Sequence, residues 1–267
     1  MNTTPILSSE IKGKGVPLLT LHGFTGDCSA MSLISKPLSE ICSVISVDLP
    51  GHGNNAKDLQ PHLFNFEDTL AALIDVMEFH DQQEFNVLGY SMGGRLALGL
   101  AIMYPNRIKN TILIGATAGI ADENQRAARR RSDDRLADEI LEKGIEWFVE
   151  YWMNQPLFES QIRIDPTTLD ISRKQKLKNS PQGLAASLRG SGTGSQPSLW
   201  RRLGEITSPT LILAGEEDFK FRSLAVRLNS GINKSEICVV PEAGHACHLE
   251  NSDFTIEAIE TFLEEVT

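Results

Sequence analysis

The chain has 267 residues, which is enough for one large α/β domain with an insertion and for a full hydrophobic core. Hydrophobic residues make up 41% and charged residues 22%, as in soluble globular proteins, and no apolar run approaches the ~20 residues that cross a bilayer. A formal net charge of −10 at pH 7 disfavours non-specific binding to nucleic acid, because the phosphates would be repelled.

The first ten residues lack a charged segment followed by an apolar one, so we expect no signal peptide, no membrane insertion and a cytoplasmic protein. The cysteines agree with that compartment, because they show neither a CxxC pair nor the spacing of a disulfide framework. Four free thiols are therefore predicted: Cys28, Cys42, Cys238 and Cys247.

The first predicted strand, residues 17–21, ends in a loop that begins His22-Gly23-Phe24. A loop of this kind after an early strand can direct a backbone N–H group at a developing oxyanion. Here that donor would be the N–H of Phe24. The His22 side chain is expected to brace the loop by hydrogen bonds.

A predicted helix, a strand and a tight turn come next, over residues 29–41, 44–47 and 48–53. His22, Asp48 and His52 could be read as metal ligands, but their spacing matches no standard site. We therefore expect no metal ion here, and hydrogen bonds within the loops for Asp48 and His52.

The segment Gly89-Tyr90-Ser91-Met92-Gly93 lies between an apolar strand, residues 85–88, and a helix over 96–104. Strand, Gly-x-Ser-x-Gly and helix form a nucleophile elbow, in which the glycines leave room where Cβ atoms would collide. The turn places the Ser91 hydroxyl at the helix N-terminus, where free N–H groups favour negative charge. The N–H of Met92 would be the second oxyanion donor.

Strands and helices alternate from residue 17 to a strand at 111–114, which predicts a mostly parallel, doubly wound sheet. No strand pattern appears in residues 121–202, so this helical, charged segment is predicted to be a lid inserted in the core. Alternation then resumes, and the core is predicted to comprise residues 1–120 and 203–267. Together these elements are typical of the α/β-hydrolase fold.

In that fold a catalytic acid and then a histidine follow the serine along the chain, each after a strand. Asp218 and His245 occupy those places. His245 would take the proton of Ser91, while Asp218 holds the imidazole and stabilises its charged form. Glu217 and Asp48 are rival acids.

A second histidine, His248, competes with His245 for the catalytic position. The glycine before His245 fits a loop that follows a strand, so His248 is expected to be structural. Zinc binding by His245, Cys247 and His248 would need a helix and further ligands nearby.

Arg95 lies one helical turn after Ser91, roughly 6 Å along the axis and on the same face. A guanidinium next to the nucleophile suggests a substrate carboxylate held by two hydrogen bonds. The alternative is an ion pair between Arg95 and a carboxylate of the lid.

The predicted lid adds basic and aromatic side chains that are candidates for the pocket. Its arginines form one cluster: Arg126, Arg129, Arg130 and Arg131. Most of them would pair with acidic neighbours on a solvated face. Its aromatic residues can shield a site from water, although more of them are expected in the lid core. They are Trp147, Tyr151, Trp152 and Phe158.

Seven segments carry a resemblance to a known family: 21–27 (LHGFTGD), 47–53 (VDLPGHG), 89–95 (GYSMGGR), 125–134 (QRAARRRSDD), 151–158 (YWMNQPLF), 188–197 (LRGSGTGSQP) and 214–221 (AGEEDFKF). They resemble the cofactor-free lyases of menaquinone biosynthesis, the 2-succinyl-6-hydroxy-2,4-cyclohexadiene-1-carboxylate synthases. The first two segments are general to the superfamily, whereas Arg95 and the segments of the predicted lid are much more specific.

The resemblance implies roles for particular residues: Ser91, Asp218 and His245 as the triad, Arg95 and Arg129 as carboxylate ligands, and Tyr90, Trp152 and Phe158 as pocket walls. A further basic residue, usually Arg in the family, falls by register on Lys176. Lysine cannot make the same planar two-point contact. Lys178 and Arg189 are therefore alternatives for that third anion contact.

The implied reaction eliminates pyruvate from the tricarboxylate 2-succinyl-5-enolpyruvyl-6-hydroxy-3-cyclohexene-1-carboxylate. Ser91, deprotonated through His245, would abstract the proton α to the succinyl ketone, and the oxyanion hole would stabilise the dienolate. No metal ion or organic cofactor is implied. Two other classes stay open: a carboxylesterase or carbon–carbon bond hydrolase with the same triad, and a non-catalytic small-molecule binder.

Overall fold

The structure, a computed structural model, describes residues 7–56 and 60–266. Residues 1–6, part of the N-terminal stretch in which no signal peptide is predicted, lie outside the described residues. The same holds for 57–59 and 267, which fall within the predicted core.

In the described part of the chain seven strands form one sheet, in the order β1-β3-β2-β4-β5-β6-β7. Their bounds are β1 Ser9–Lys12, β2 Val16–Leu21, β3 Cys42–Val47, β4 Phe85–Tyr90, β5 Ile108–Ile114, β6 Thr210–Gly215 and β7 Ser235–Val240. All neighbours pair in parallel except β1 and β3, which are antiparallel. The mostly parallel, doubly wound sheet predicted from the sequence is confirmed.

Helices cover both faces of this sheet and also lie over the carboxyl ends of its strands. Their bounds are α1 Ser32–Leu38, α2 Phe66–Phe79, α3 Met92–Met103, α4 Glu123–Met153, α5 Pro166–Lys176, α6 Pro181–Ser191, α7 Phe219–Gly231, α8 Cys247–Glu250 and α9 Ser252–Glu265. Short 3₁₀ helices occur at Cys28–Met31, Gly53–Asn55, Pro61–Phe64, Pro156–Arg163 and Leu203–Glu205.

The central strands are buried on both sides, because consecutive side chains enter different apolar clusters. Leu19 and Val87, which are paired in register, pack with α2 and α3 on one face. Leu18 and Leu88 pack with α1 and α9 on the other face. A pair of clusters of this kind requires continuous apolar runs in the strands, which is the pattern that the sequence shows.

The connection from β5 to β6, described over residues 115–209, contains no strand and carries α4, α5 and α6. Helices α4 and α6 pack through a third apolar cluster that includes Phe148 and Leu184. Phe24, from the loop after β2, packs against this cluster as well. The helices of this connection therefore lie over the loops that follow the strands.

Candidate active site

The backbone at Ser91 has the strained geometry of a nucleophile elbow. Ser91 is a non-glycine residue with φ +50°, between the end of β4 and the start of α3. A Cβ atom on Gly89 would collide with the carbonyl of Gly93, and one on Gly93 would collide with the carbonyl of Leu21. The two glycines are thus required by close backbone approaches, as the motif predicts.

Ser91, Asp218 and His245 lie at the carboxyl ends of β4, β6 and β7, and parallel pairing brings these ends to one edge of the sheet. The Nε2 atom of His245 is 3.1 Å from Ser91 Oγ, and its Nδ1 atom is 2.8 Å from Asp218 Oδ2. The other oxygen of Asp218 accepts a hydrogen bond from the N–H of Phe221 at 3.0 Å, which fixes the carboxylate. With the proton on Nδ1, the imidazole can accept the proton of Ser91.

The two rival acids are engaged elsewhere. Glu217 is exposed and forms an ion pair with Arg163 at 2.8 Å. Both oxygens of Asp48 accept backbone hydrogen bonds, from Cys28 at 2.7 Å and from Asn54 at 2.8 Å. Asp218 is therefore the acid that the geometry places on His245.

His248 lies behind the site rather than in it. Its ring is 4.2 Å from that of Tyr90, and its buried Nδ1 atom has no hydrogen-bond partner among the described residues. Burial, assisted by the nearby charges of His245 and Lys176, lowers the pKa of His248 to about 3. The side chain is thus a neutral ring packed under Tyr90, in agreement with the structural role expected for it.

Two residues that line the cavity at Ser91 have backbone N–H groups without an acceptor in the described residues. These residues are Phe24 and Met92. The loop that carries Phe24 is braced by His22. The His22 Nδ1 atom lies 2.8 Å from the carbonyl of Gly23, and its Nε2 atom accepts the N–H of Leu49 at 3.0 Å. This bracing confirms the prediction for the His22 side chain.

The cavity at Ser91, here called the inner cavity, has a volume of about 140 Å³. Its lining includes Ser91, His245 and three cations, which are Arg95, Arg129 and Lys220, but no carboxylate. In a protein of net charge −10, this lining selects for an anionic ligand. Lys220 was not identified from the sequence, although it stands in the segment 214–221 that carries the family resemblance.

Arg95 is 7% exposed and is held by uncharged groups. Its Nη1 atom donates to the carbonyl of Ser191 at 2.8 Å and to Gln196 Oε1 at 2.5 Å. Burial, and secondarily the charge of Arg129, lowers the pKa of Arg95 to about 10, so it remains a cation at neutral pH. Its partners are not carboxylates, which argues against the alternative of an ion pair within the lid. Nε and Nη2 are without partners in the described chain.

Only one arginine of the 126–131 cluster lines the inner cavity. Arg129 does so while its Nε donates to Asp133 at 2.7 Å. Arg126 instead donates to the carbonyl of Ile120 at 3.2 Å. Arg130 and Arg131 are exposed. The expectation that most of this cluster lies on a solvated face therefore agrees with the structure.

An aromatic wall separates the inner cavity from a second cavity of about 290 Å³. Its members line both spaces: Phe24, Tyr90, Trp152 and Phe158. Three of them are the pocket residues that the resemblance implies. The other aromatic residues of α4, Trp147 and Tyr151, stack on each other at 5.2 Å and line neither space.

Lys176 lies in the second cavity and not beside Ser91. Its Nζ donates to Ser172 Oγ at 2.7 Å. Burial lowers the pKa of Lys176 to about 8, with the charge of Asp27 opposing the shift. Of the two alternatives to Lys176, Lys178 is exposed, and Arg189 pairs with Asp138 at 2.5 Å. Neither of the two lines the inner or the second cavity.

Within the described residues no group of three or more His, Cys, Asp or Glu side chains is placed to hold a metal ion. His52 Nδ1 lies 3.0 Å from the carbonyl of Pro50. The four cysteines are free. No helix in the described ranges is both long enough and apolar enough to cross a membrane.

The sequence profile of the alpha/beta hydrolase fold family matches residues 16–252. A Bacillus subtilis protein bearing the name of 2-succinyl-6-hydroxy-2,4-cyclohexadiene-1-carboxylate synthase is 37% identical over 252 residues, which cover 93% of this chain and 90% of that protein. The synthase of that name from Citrobacter koseri is 32% identical, over 97% and 99% of the two chains. The solved structure of MenH from S. aureus superposes with a TM-score of 0.92 at 35% identity, covering 99% of each chain.

Proposed function

Since the chain belongs to the alpha/beta hydrolase fold family and, within it, to the 2-succinyl-6-hydroxy-2,4-cyclohexadiene-1-carboxylate synthases, we propose that it is the pyruvate-eliminating lyase of menaquinone or phylloquinone biosynthesis. Its substrate is 2-succinyl-5-enolpyruvyl-6-hydroxy-3-cyclohexene-1-carboxylate. One structural observation supports the proposal independently of the sequence similarity. The Ser91–His245 pair opens into a cavity that is lined by cations and no carboxylate, which suits a substrate that carries several carboxylates.

The proposed base is Ser91 acting through His245. The hydroxyl proton of Ser91 passes to His245 Nε2, and the serine oxygen abstracts the ring proton α to the succinyl ketone. The electron pair of that C–H bond moves through the dienolate to form the conjugated diene, and the C–O bond to the enolpyruvyl group breaks. Asp218, fixed by the N–H of Phe221, stabilises the charged imidazole throughout.

The N–H groups of Phe24 and Met92 are proposed to bind the ketone oxygen as it becomes the dienolate oxygen. They are unpaired in the described chain, so the charge that develops there replaces no existing acceptor. Donors fixed in place before the reaction stabilise such charge without reorganisation, and removal of one typically costs about 10²–10³ in rate.

Arg95 and Arg129 are proposed to bind substrate carboxylates in the inner cavity, and Lys176 a third one across the aromatic wall. The fixed Nη1 of Arg95 leaves its Nε and Nη2 atoms free for a two-point contact. Tyr90, Trp152 and Phe158 would then enclose the ring and exclude water. These steps require no metal ion and no organic cofactor.

Residues 121–202 are proposed to act as a lid on a core formed by residues 1–120 and 203–267. The lid supplies Arg129, Trp152, Phe158 and Lys176, whereas the core supplies Ser91, Asp218 and His245. We also propose a cytoplasmic location, because the free thiols fit a reducing compartment.

The test is to incubate the purified chain with the enolpyruvyl cyclohexene carboxylate, generated enzymatically from isochorismate. Pyruvate and the ultraviolet absorbance of the diene are followed together for wild type and for Ser91→Ala. Equal yields of both products, lost in Ser91→Ala, establish the lyase. No acceleration over the spontaneous reaction would refute it.

The same geometry also suits attack of Ser91 on a carbonyl, so a carboxylesterase or carbon–carbon bond hydrolase is the second candidate. Model esters of uncharged and of dicarboxylic acids, assayed alongside the lyase substrate, separate the two. Fast ester cleavage without diene formation would favour the hydrolase. The absence of turnover in both assays, with tight binding of the substrate, would favour a binding protein.

A further inference from the structure

One cation of the inner cavity, Lys220, has no role in the mechanism given above. It is the second residue of α7 and lies two positions after Asp218. It lines the inner cavity and also a larger cavity of about 610 Å³, here called the outer cavity. The outer cavity reaches Asp218, Gly244 and His245 from the side of the Pro156–Arg163 helix.

In the described chain Lys220 has an unpaired ammonium group, whereas Arg95 donates hydrogen bonds to neutral groups and two nearby arginines form ion pairs. Arg163 and Arg129 each form an ion pair with a carboxylate, at 2.8 Å and 2.7 Å. Lys220 Nζ makes neither an ion pair nor a hydrogen bond within the described residues, and lies 5.4 Å from the ring centroid of Phe221. Its charge is thus available to an anion in either cavity.

Lys220 and Arg95 approach the reacting pair from different elements. Arg95 belongs to α3, one turn after Ser91. Lys220 belongs to α7 and precedes Phe221, whose ring centroid is 4.3 Å from that of His245. One cation thus comes from the serine side of the site and the other from the histidine side.

We propose that Lys220 makes a second contact to the carboxylate of the departing enolpyruvyl group, which is one of the two carboxylates bound in the inner cavity, and that pyruvate leaves through the outer cavity. The inference rests on the proposed function. When the C–O bond breaks, the electron pair leaves with the enolpyruvyl oxygen, and a proton taken up at the methylene carbon completes pyruvate. A cation beside this fragment offsets the charge that it gains in the transition state.

The charges that line the outer cavity favour the release of pyruvate rather than its retention. Its lining combines Lys220 and Arg163 with three carboxylates, those of Glu159, Glu217 and Asp218, whereas the inner cavity has none. An anion that passes Lys220 therefore leaves a purely cationic lining for one in which carboxylates outnumber cations. Pyruvate is expected to be a weak competitive inhibitor that is readily lost.

The experiment compares Lys220→Gln and Lys220→Arg with a matched control, Lys36→Gln, at an exposed lysine that lines none of the cavities described here. Pyruvate and succinate are used as inhibitors of diene formation at constant ionic strength, balanced with sodium chloride. Lys220→Gln should raise the inhibition constant of pyruvate about tenfold, as loss of a charge-assisted contact predicts. That of succinate should stay unchanged, Lys220→Arg should recover most of the effect, and Lys36→Gln should behave as wild type.

Equal weakening of pyruvate and succinate inhibition would make Lys220 a general attractor of anions and overturn the inference, as would unchanged pyruvate inhibition. Direct binding of pyruvate is measured in parallel by saturation-transfer NMR, without substrate. If wild type forms no diene, the proposed function fails, while the NMR comparison of wild type with Lys220→Gln still decides the role of Lys220. Circular dichroism confirms that each variant is folded.

Discussion

His245 is the member of the triad that contacts both of the others. Its two ring nitrogens are 3.1 Å from Ser91 Oγ and 2.8 Å from Asp218 Oδ2, and the ring is 2% exposed. Phe221 packs at 4.3 Å between ring centroids. An imidazole so enclosed has few alternative orientations, so removal of its carboxylate partner mainly changes which nitrogen carries the proton.

Replacement of Asp218 by Asn should therefore preserve the fold and lower kcat by up to about 10⁴, as loss of the correct tautomer does in serine triads. The matched control is Glu217→Gln, one residue away, which leaves the contact between Asp218 and His245 intact and removes an exposed ion pair with Arg163. That control should retain activity within about twofold, since such pairs are worth at most ~1 kcal/mol. Steady-state kinetics on both variants provide the measurement. Comparable losses would contradict the assignment of Asp218.

The Arg95 side chain has two roles: it is proposed to bind a substrate carboxylate, and it donates hydrogen bonds to buried groups of the protein. Two substitutions separate these roles. Arg95→Ala leaves the carbonyl of Ser191 and the amide oxygen of Gln196 without their donor in a buried place. It should lower both the thermal midpoint and kcat/KM, the latter by roughly 10²-fold or more. Arg95→Lys keeps the charge but lacks the planar fork, so it should recover stability more than kcat/KM. Thermal melts and kinetics on the same preparations check this, and full catalytic recovery in Arg95→Lys would argue against two-point binding.

At the scale of single elements, the elbow between β4 and α3 is the most tightly constrained. A Cβ atom on Gly93 would meet the backbone of Leu21 and His22, neither of which is the flexible end of a side chain. Gly93→Ala should lower the free energy of unfolding by about 1–3 kcal/mol or more, as overpacking does elsewhere. Gly204→Ala, whose Cβ would have no atom within 4 Å, should stay within about 0.5 kcal/mol of wild type. Urea unfolding measures both, and equal stabilities would refute the steric account.

The elements that could be predicted are those whose pattern is local. Strand β4 and helix α3 follow from an apolar run and a Gly-x-Ser-x-Gly turn. Strand β1 could not be predicted, because Ser9–Lys12 is mostly exposed and exists by pairing with β3. The helix predicted over 29–41 is present but shorter, since α1 covers only Ser32–Leu38. The chain forms a 3₁₀ turn that ends at Met31 and then α1, which ends at Leu38.

For the site, the order of residues along the chain predicted the triad, but it did not predict which cavity each basic residue lines. Ser91, Asp218 and His245 could be predicted because each follows a strand of a sheet whose topology fixes where its carboxyl ends meet. Lys176 and Lys220 belong to different cavities, and nothing in their sequence neighbourhoods indicates which. That distinction arises from the packing of the helical connection over the core.

At the scale of the whole molecule, the linings of two cavities are opposite in charge to the chain as a whole. The chain carries a formal charge of −10, yet the linings of the inner and second cavities contain cations and no carboxylate. A tricarboxylate is therefore repelled by the net charge of the protein and attracted by the cations of these two linings. Arg95 and Arg129 are guanidinium groups, whereas the cation of the second cavity is an amine that titrates near physiological pH.

The affinity for substrate should fall as pH rises through about 8, the value to which burial lowers the pKa of Lys176. Below that pH the ammonium form predominates and can bind a carboxylate, whereas above it the neutral amine cannot. The groups around Lys176 do not cancel this trend, since Asp27 favours the charged form and the nearby His248 is neutral. KM measured from pH 6.5 to 9 should increase in wild type. It should stay flat in Lys176→Arg, and an identical rise in that variant would assign the titration to another group.

The break in α4 at Gly144, where φ is +84°, has a further consequence. An unbroken helix of 31 residues would extend for roughly 46 Å, longer than a small domain is wide. The kink instead divides the helix into a portion that carries Arg129 and a portion that carries Trp152. Arg129 and Trp152 lie 23 positions apart in the sequence, which would be about 35 Å along a straight helix, yet both line the inner cavity. A single glycine thereby lets one stretch of chain deliver a cation and an aromatic ring to the same small space.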